Sequence, residues 1–142
     1  MNYEQKKPLI LIVDDNSVSI RMLVHVLKKK EYDLAISRNG SQALNMLEDI
    51  HPDLILLDIM MPDLDGFKVC RTLKDNSRTK EIPIIFLTAK EETEDLVQAF
   101  EIGAVDYVTK PFNGLELLAR VQTHLDLKFA RDTQKELLIK LE

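Results

Sequence analysis

This 142-residue chain has little cysteine, no excess of positive charge and no long apolar run. Cys70 is the single cysteine, so no internal disulfide can form, which suits a reducing compartment. The net charge of -5 argues against a large basic surface and so against direct nucleic-acid binding by this segment. Apolar runs such as residues 9–13 are far too short to span a bilayer. Residues 1–7 lack the apolar core of a signal peptide, so we predict a cytoplasmic location and no membrane partner.

Short apolar runs that alternate with helical stretches are what the chain does contain. The length fits one domain, and an apolar fraction of 45% is enough for a real core. Ser17 is expected to cap the first helix, and Gly103 to close the fourth. The alternation predicts an α/β fold, in which right-handed crossovers join parallel strands and helices cover both faces of an open doubly wound sheet. The predicted strands cover residues 9–13, 33–37, 53–57, 83–87 and 105–109.

Chemically active side chains stand where four of these predicted strands end. Asp14 and Asp15 follow the first strand, Asp58 the third, Thr88 the fourth and Lys110 the fifth. The second strand contributes nothing comparable. Doubly wound sheets bind ligands at the carboxyl ends of their strands, near the point where the strand order reverses. We therefore predict that three carboxylates, one hydroxyl and one ammonium meet in one crevice.

The charges of this predicted crevice do not balance without a metal ion. Three carboxylates within a few ångströms repel one another, and the ammonium of Lys110 supplies only one counter-charge. A site of oxygen ligands with room for water favours Mg²⁺, which would also orient an incoming phosphate. Such a site suits phosphoryl transfer to Asp58 as the carboxylate nucleophile. Lys110 would neutralise the transferring phosphoryl group, and Thr88 would donate a hydrogen bond to it.

Short motifs follow these strands in a fixed order. They are Asp14-Asp15-Asn16, Leu57-Asp58-Ile59-Met60-Met61-Pro62 with Asp65-Gly66, Thr88-Ala89, and Tyr107-Val108-Thr109-Lys110-Pro111-Phe112. Together they resemble the signature of the response-regulator receiver domains of two-component signalling, over roughly residues 8–125. The resemblance implies a flavodoxin-like sheet of five parallel strands in the order 2-1-3-4-5, with five helices.

The resemblance also implies which residues hold the metal ion. In receiver domains the second acidic residue and the phosphoacceptor ligate Mg²⁺ directly, which here are Asp15 and Asp58. The backbone carbonyl of Met60 would be a third ligand, and Asp14 would act through water. The peptide bond between Lys110 and Pro111 would be cis.

The implied function is that of a phosphorylation-dependent switch. A histidine kinase or a phosphotransfer protein would supply the phosphoryl group, and Thr88 and Tyr107 would then move. Their movement would remodel the face formed by the fourth helix, the fifth strand and the fifth helix, and so control an output domain or partner protein. The chain would be no metabolic enzyme, because it would catalyse only its own phosphorylation and dephosphorylation.

Other interpretations of the same residues stay open. Asp14 and Asp15 could cap the first helix, and Tyr107 could be a half-buried packing residue. A phosphatase of the haloacid-dehalogenase kind also uses a strand-end aspartate and Mg²⁺, but it needs an Asp-x-Asp motif, whereas here the two aspartates are adjacent. An interaction module that needs no phosphorylation is a third alternative, against which the complete set of strand-end residues argues.

The last predicted helix is longer than the domain needs. It begins near Asn113 and would extend for about 45 Å at 1.5 Å per residue. We assign residues 1–125 to the receiver domain and residues 126–142 to a helical extension, either a linker to an output domain or a dimerisation helix that would allow a homodimer. Asp132 interrupts the heptad that contains Leu118 and Leu125, and a frayed tail is the alternative.

Overall fold

The computed structural model describes residues 7–89 and 93–141, apart from the side chains of residues 93–95. Its elements are β1 Leu9–Val13, α1 Ser17–Leu27, β2 Asp33–Ser37, α2 Gly40–Met46, β3 Leu54–Asp58, α3 Gly66–Lys74, β4 Ile84–Thr88, α4 Thr93–Glu101, β5 Asp106–Thr109 and α5 Gly114–Leu141. The strands form one parallel sheet in the order β2-β1-β3-β4-β5. The fold class and strand order predicted from the sequence are therefore confirmed.

The central strands are buried on both faces, as their continuous aliphatic sequences predict. Alternate residues of a strand point to opposite faces, so each strand supplies two apolar clusters. One cluster lies between the sheet and α2, α3 and α4, around Phe86, and it includes Cys70. The other lies between the sheet and α1 and α5, around Leu56. The sheet is thus packed on both faces, and the carboxyl ends of its parallel strands lie along the same edge.

Several helix and strand ends differ from the prediction. Asn16 caps α1, and not Ser17 or either aspartate, because its Oδ1 accepts a hydrogen bond from the Ser19 backbone N at 3.0 Å. β4 begins at Ile84, one residue later than predicted, since Pro83 has no N–H to donate within the sheet. Gly103 follows α4 with a φ of 111°, the left-handed conformation expected of a C-terminal glycine.

The two ends of the sheet are named by the direction of its parallel strands. We call the side where the strands finish the carboxyl end, and the side where they begin the amino end. α5 is 28 residues long, and its last part extends past the core towards the amino end, where Lys128 forms an ion pair of 3.1 Å with Asp53. Within residues 7–89 and 93–141, none of the helices combines the length and apolarity that crossing a membrane requires. The predictions for residues 1–6 lie outside the described residues.

Candidate functional site

Three carboxylates meet at the carboxyl end of the sheet. One oxygen from each of Asp14, Asp15 and Asp58 lies within 4.8 Å of the other two. The register of the neighbouring strands β1 and β3 explains this, because Val13 stands opposite Leu57 and the residues that follow both are aspartates. Asp14 and Asp58 are buried, at 0% and 5% exposure, whereas Asp15 is exposed. The predicted meeting of carboxylates is therefore confirmed, and one side of the cluster is open to solvent.

Lys110 places its ammonium between the two buried carboxylates. Its Nζ lies 2.9 Å from Asp14 Oδ2 and 3.6 Å from Asp58 Oδ2. The backbone N of Lys110 donates a hydrogen bond of 2.7 Å to the carbonyl of Thr88, which brings the end of β5 next to the end of β4. The following peptide bond, to Pro111, is cis, as the resemblance implied.

The donor set of the cluster fits a hard divalent cation. Asp14 Oδ2 is fully buried and, within the described part of the chain, accepts no hydrogen bond, although the Lys110 ammonium is its ionic neighbour. Burial and the charge of Asp14 together raise the pKa of Asp58 to about 6, against the lowering effect of Lys110. The three carboxylates of the cluster outnumber the one ammonium beside them, and Mg²⁺ or a similar cation bound to carboxylate oxygens would neutralise the excess negative charge.

The loop after β3 folds tightly back onto Asp58. The backbone N of Met60 donates to Asp58 Oδ1 at 3.3 Å, so this peptide lies beside the acidic cluster. Gly66 allows the loop to close, because a Cβ at that position would lie 2.3 Å from the Asp58 carbonyl oxygen. Asp65 caps α3 by accepting a hydrogen bond from the Lys68 backbone N at 2.9 Å.

Thr88 and Tyr107 lie on the β4 and β5 side of the cluster. Thr88 is buried at the end of β4, one residue after Leu87, which is the partner of Asp58 across the strand pair. The half-buried ring of Tyr107 packs edge-to-face on Phe100, with centroids 6.2 Å apart, and the Arg120 guanidinium lies 5.7 Å from its centre. Packing is thus one role of Tyr107 in this state, and its movement stays a prediction.

The end of β2 also contributes to the site, which the sequence analysis missed. The Ser37 carbonyl accepts a hydrogen bond from the Asp14 backbone N at 3.1 Å. Arg38 Nη2 donates to the Asp15 carbonyl at 3.2 Å and to the Ser17 hydroxyl at 2.7 Å. Arg38 directly follows the second strand, as Lys110 directly follows the fifth. Treating it as a strand-end residue would have selected it.

Comparison with known proteins identifies the family. The family model of the response regulator receiver domain matches residues 10–122. The chain belongs to this family. The receiver domain is 47% identical over 116 residues to the "DNA-binding response regulator MtrA" of Mycolicibacterium smegmatis, an alignment that covers 82% of this chain and 50% of MtrA. The chain therefore spans about half the length of this curated relative.

Solved structures agree with the receiver fold. A putative response regulator from Chloroflexus aurantiacus superimposes with a TM-score of 0.82 and 35% identity, covering 85% of this receiver domain and 99% of that chain. The receiver domain of the sensor histidine kinase PA1611 from Pseudomonas aeruginosa, with a magnesium ion coordinated in its active site cleft, gives a TM-score of 0.78 and 30% identity, covering 85% and 99%. These matches place the chain in two-component signalling and leave the phosphatase alternative without support.

Proposed function

We propose that this receiver domain is a signalling switch in which Asp58 accepts a phosphoryl group in a reaction that depends on Mg²⁺. One observation carries the proposal: three carboxylate oxygens within 4.8 Å of one another, with the Lys110 ammonium 2.9 Å from Asp14 and 3.6 Å from Asp58. Such an arrangement is costly for folding alone, because the negative charge exceeds the positive charge. It is useful where a cation and a phosphate must be held together.

Asp15, Asp58 and the backbone carbonyl of Met60 would hold the metal ion, and Asp14 would contact it through water. The magnesium ion coordinated in the active site cleft of the related PA1611 receiver domain supports the presence of a metal site here. Bound there, Mg²⁺ supplies positive charge that screens the phosphoryl oxygens and orients them for in-line attack. The exposed side of the cluster, at Asp15, leaves room for the phosphoryl donor.

The side chains of the cluster would divide the transfer step between them. A carboxylate oxygen of Asp58 attacks phosphorus, the O–P bond forms, and the bond to the donor breaks with its electron pair leaving on the donor. Lys110 neutralises charge on the phosphoryl oxygens, and the Thr88 hydroxyl donates a hydrogen bond to one of them. Attack by water on the same phosphorus would later release inorganic phosphate, so the domain would catalyse its own slow dephosphorylation.

The partners follow from this chemistry. A histidine kinase or a phosphotransfer protein would be the donor, and we expect the reaction in the cytoplasm. Movement of Thr88 and Tyr107 would pass the change to the face formed by α4, β5 and α5. The receiver domain would end near residue 125, and residues 126–142 would connect it to an output domain or pair with a second copy. Exposed Leu127, Leu137 and Leu138 on this extension support a partner there, since they are more than half exposed.

Intact-mass measurement after incubation with Mg²⁺ and acetyl phosphate tests the proposal. We expect the addition of one phosphoryl group to the parent, no addition when Mg²⁺ is chelated, and no addition to Asp58→Asn.

Addition to both the parent and the variant would place the site at another residue. No addition to a folded parent in the presence of Mg²⁺ would favour the interaction module that needs no phosphorylation.

A further inference from the structure

The turn that follows β2 holds the loop that carries Asp15. Arg38 reaches across from this turn, and its Nη2 donates to the Asp15 carbonyl at 3.2 Å and to the Ser17 hydroxyl at 2.7 Å. Ser17 is the first residue of α1, and Asn16 caps that helix. The guanidinium therefore joins the last residue of the acidic pair to the beginning of the helix.

The orientation of the Asp15 side chain depends on the contact from Arg38 more than the orientations of Asp14 and Asp58 do. Asp14 is buried, accepts a hydrogen bond from the Asn16 backbone N at 2.9 Å and pairs with Lys110. Asp58 is buried as well and also lies beside Lys110. Asp15 is the exposed member of the cluster. The peptide between Asp15 and Asn16 is held at its N–H by Asp14 and at its carbonyl by Arg38, so the hydrogen bond from Arg38 helps to limit the directions that the Asp15 carboxylate can take.

The other side of the same turn is attached to the loop that follows Asp58. Asp63 accepts hydrogen bonds of 3.2 Å from the backbone N of Gly40 and of 3.2 Å from that of Ser41. The packing there is close, since a Cβ at Gly40 would lie 2.9 Å from the Leu64 carbonyl oxygen. The turn thus bridges the two loops that carry the proposed metal ligands.

We propose that Arg38 is a positioning residue for the metal site and that it holds the Asp15 carboxylate in the direction that Mg²⁺ binding needs. This inference rests on the proposed function, because it assumes that Asp15 is a metal ligand. Residues that orient metal ligands through hydrogen bonds typically change metal affinity by about 10- to 100-fold when they are replaced.

The sign of the effect separates positioning from simple charge. Arg38 is a cation close to an acidic cluster, so its removal would strengthen Mg²⁺ binding if electrostatics alone mattered. Loss of positioning has the opposite effect, because the Asp15 carboxylate would then have to be ordered when the metal binds. We expect Arg38→Gln to weaken Mg²⁺ binding about tenfold.

Calorimetric titration of Mg²⁺ into the folded domain, without any phosphoryl donor, measures this affinity directly. Arg38→Lys keeps the charge but lacks the planar fork of donors, so its affinity should lie between those of the parent and Arg38→Gln. Arg78→Gln is the matched control, since Arg78 is also exposed but belongs to the loop between α3 and β4, at the amino end of the sheet. It should bind Mg²⁺ like the parent.

Phosphorylation by acetyl phosphate gives a second readout. For Arg38→Gln we expect the half-saturating Mg²⁺ concentration to rise about tenfold, while the rate at saturating Mg²⁺ stays within about twofold of the parent. Unchanged or tighter Mg²⁺ binding by Arg38→Gln would overturn the inference and leave the proposed function intact.

If Arg38→Gln does not fold, Arg38→Lys decides the question by the same criterion. A parent domain that binds no Mg²⁺ would overturn both the metal site and the role of Arg38.

Discussion

At the amino end of the sheet Lys74, Lys128 and Lys135 each have oxygen partners, whereas at the carboxyl end the ammonium of Lys110 lies beside two of three clustered carboxylates. Lys128 lies 3.1 Å from Asp53 and 3.0 Å from Asp132, and Lys135 pairs with Glu81. Lys74 donates to two backbone carbonyls at 2.9 Å each.

The two ends also differ in burial. Asp14 and Asp58 are at most 5% exposed, whereas the side chains of Glu81 and Lys135 are about half exposed. Exposed ion pairs contribute little to stability and cost little when they are lost. Buried charge without full compensation is expensive. The comparison teaches that the carboxyl end keeps buried charge for a ligand at some cost in stability, while the charges of the amino end are neutralised locally and affect stability little.

Lys110→Met should have the largest effect on stability. It removes the cation beside the fully buried Asp14, and breaking such a pair from one side should cost about 3 kcal/mol of the unfolding free energy. Urea unfolding followed by circular dichroism, in the presence of a chelator, measures the loss.

Mg²⁺ should restore part of this stability, because it replaces some of the missing positive charge. A loss below about 0.5 kcal/mol, typical of surface substitutions, would show that the carboxyl end is no more sensitive than ordinary surface.

Asp58→Asn should stabilise the metal-free domain, by about 2 kcal/mol at neutral pH. The pKa of Asp58 is raised from 3.8 to about 6, so the folded state holds this proton more tightly than the unfolded state does. Ionisation of Asp58 therefore costs stability, and the cost develops as the pH rises from about 4 to about 6.

Urea unfolding at several pH values in a chelator measures this gain. The gain should be near zero at the acidic end of the window and complete at its upper end. A variant that is less stable than the parent at neutral pH would mean that the negative charge of Asp58 does not destabilise the folded domain.

Lys128→Met makes the same chemical change at the amino end and should have the smallest effect, a loss of about 1 kcal/mol, because the carboxylates it leaves behind, Asp53 and Asp132, are 24% and 43% exposed and water can solvate them. Burial alone would lower the pKa of Lys128, but its hydrogen bonds to Asp132 and Asp53 raise that pKa above the usual value. Its contribution is therefore complete at neutral pH and is lost only as the pH rises through the pKa of the folded state.

Urea unfolding of Lys128→Met and Lys110→Met with and without Mg²⁺ tests directly whether the two ends of the sheet differ. Mg²⁺ should not rescue Lys128→Met beyond its effect on the parent. Equal losses for the two lysine variants, with equal rescue, would remove the distinction between the two ends.

Much of the fold could be predicted because its signals are local. Continuous aliphatic runs mark strands that are buried on both faces, and their alternation with helical stretches leads to a parallel sheet. Asp14, Asp58, Thr88 and Lys110 could be selected because the carboxyl ends of parallel strands point in one direction. The exact helix starts were harder, as the exchange of Ser17 for Asn16 as the α1 cap shows.

Side-chain contacts between distant segments could not be predicted in this way. The position of Arg38 directly after the second strand could be recognised from the sequence, but its contacts with Asp15 and Ser17 could not, because they depend on how the turn after β2 packs. Lys128 meets Asp53 across 75 positions of the chain. Such pairings depend on the reach of long side chains and on the angle at which helices cross the sheet.

The sequence by itself determined the order of strands and helices and the residue types at the strand ends, because apolar periodicity and strand-end position are properties of short segments. Only the tertiary structure decided that Asp15 stays exposed while Asp14 and Asp58 are buried, and that the turn after β2 bridges the loops on either side. The physical reason is that burial and hydrogen bonding between segments depend on distances in space, which short sequence patterns do not contain.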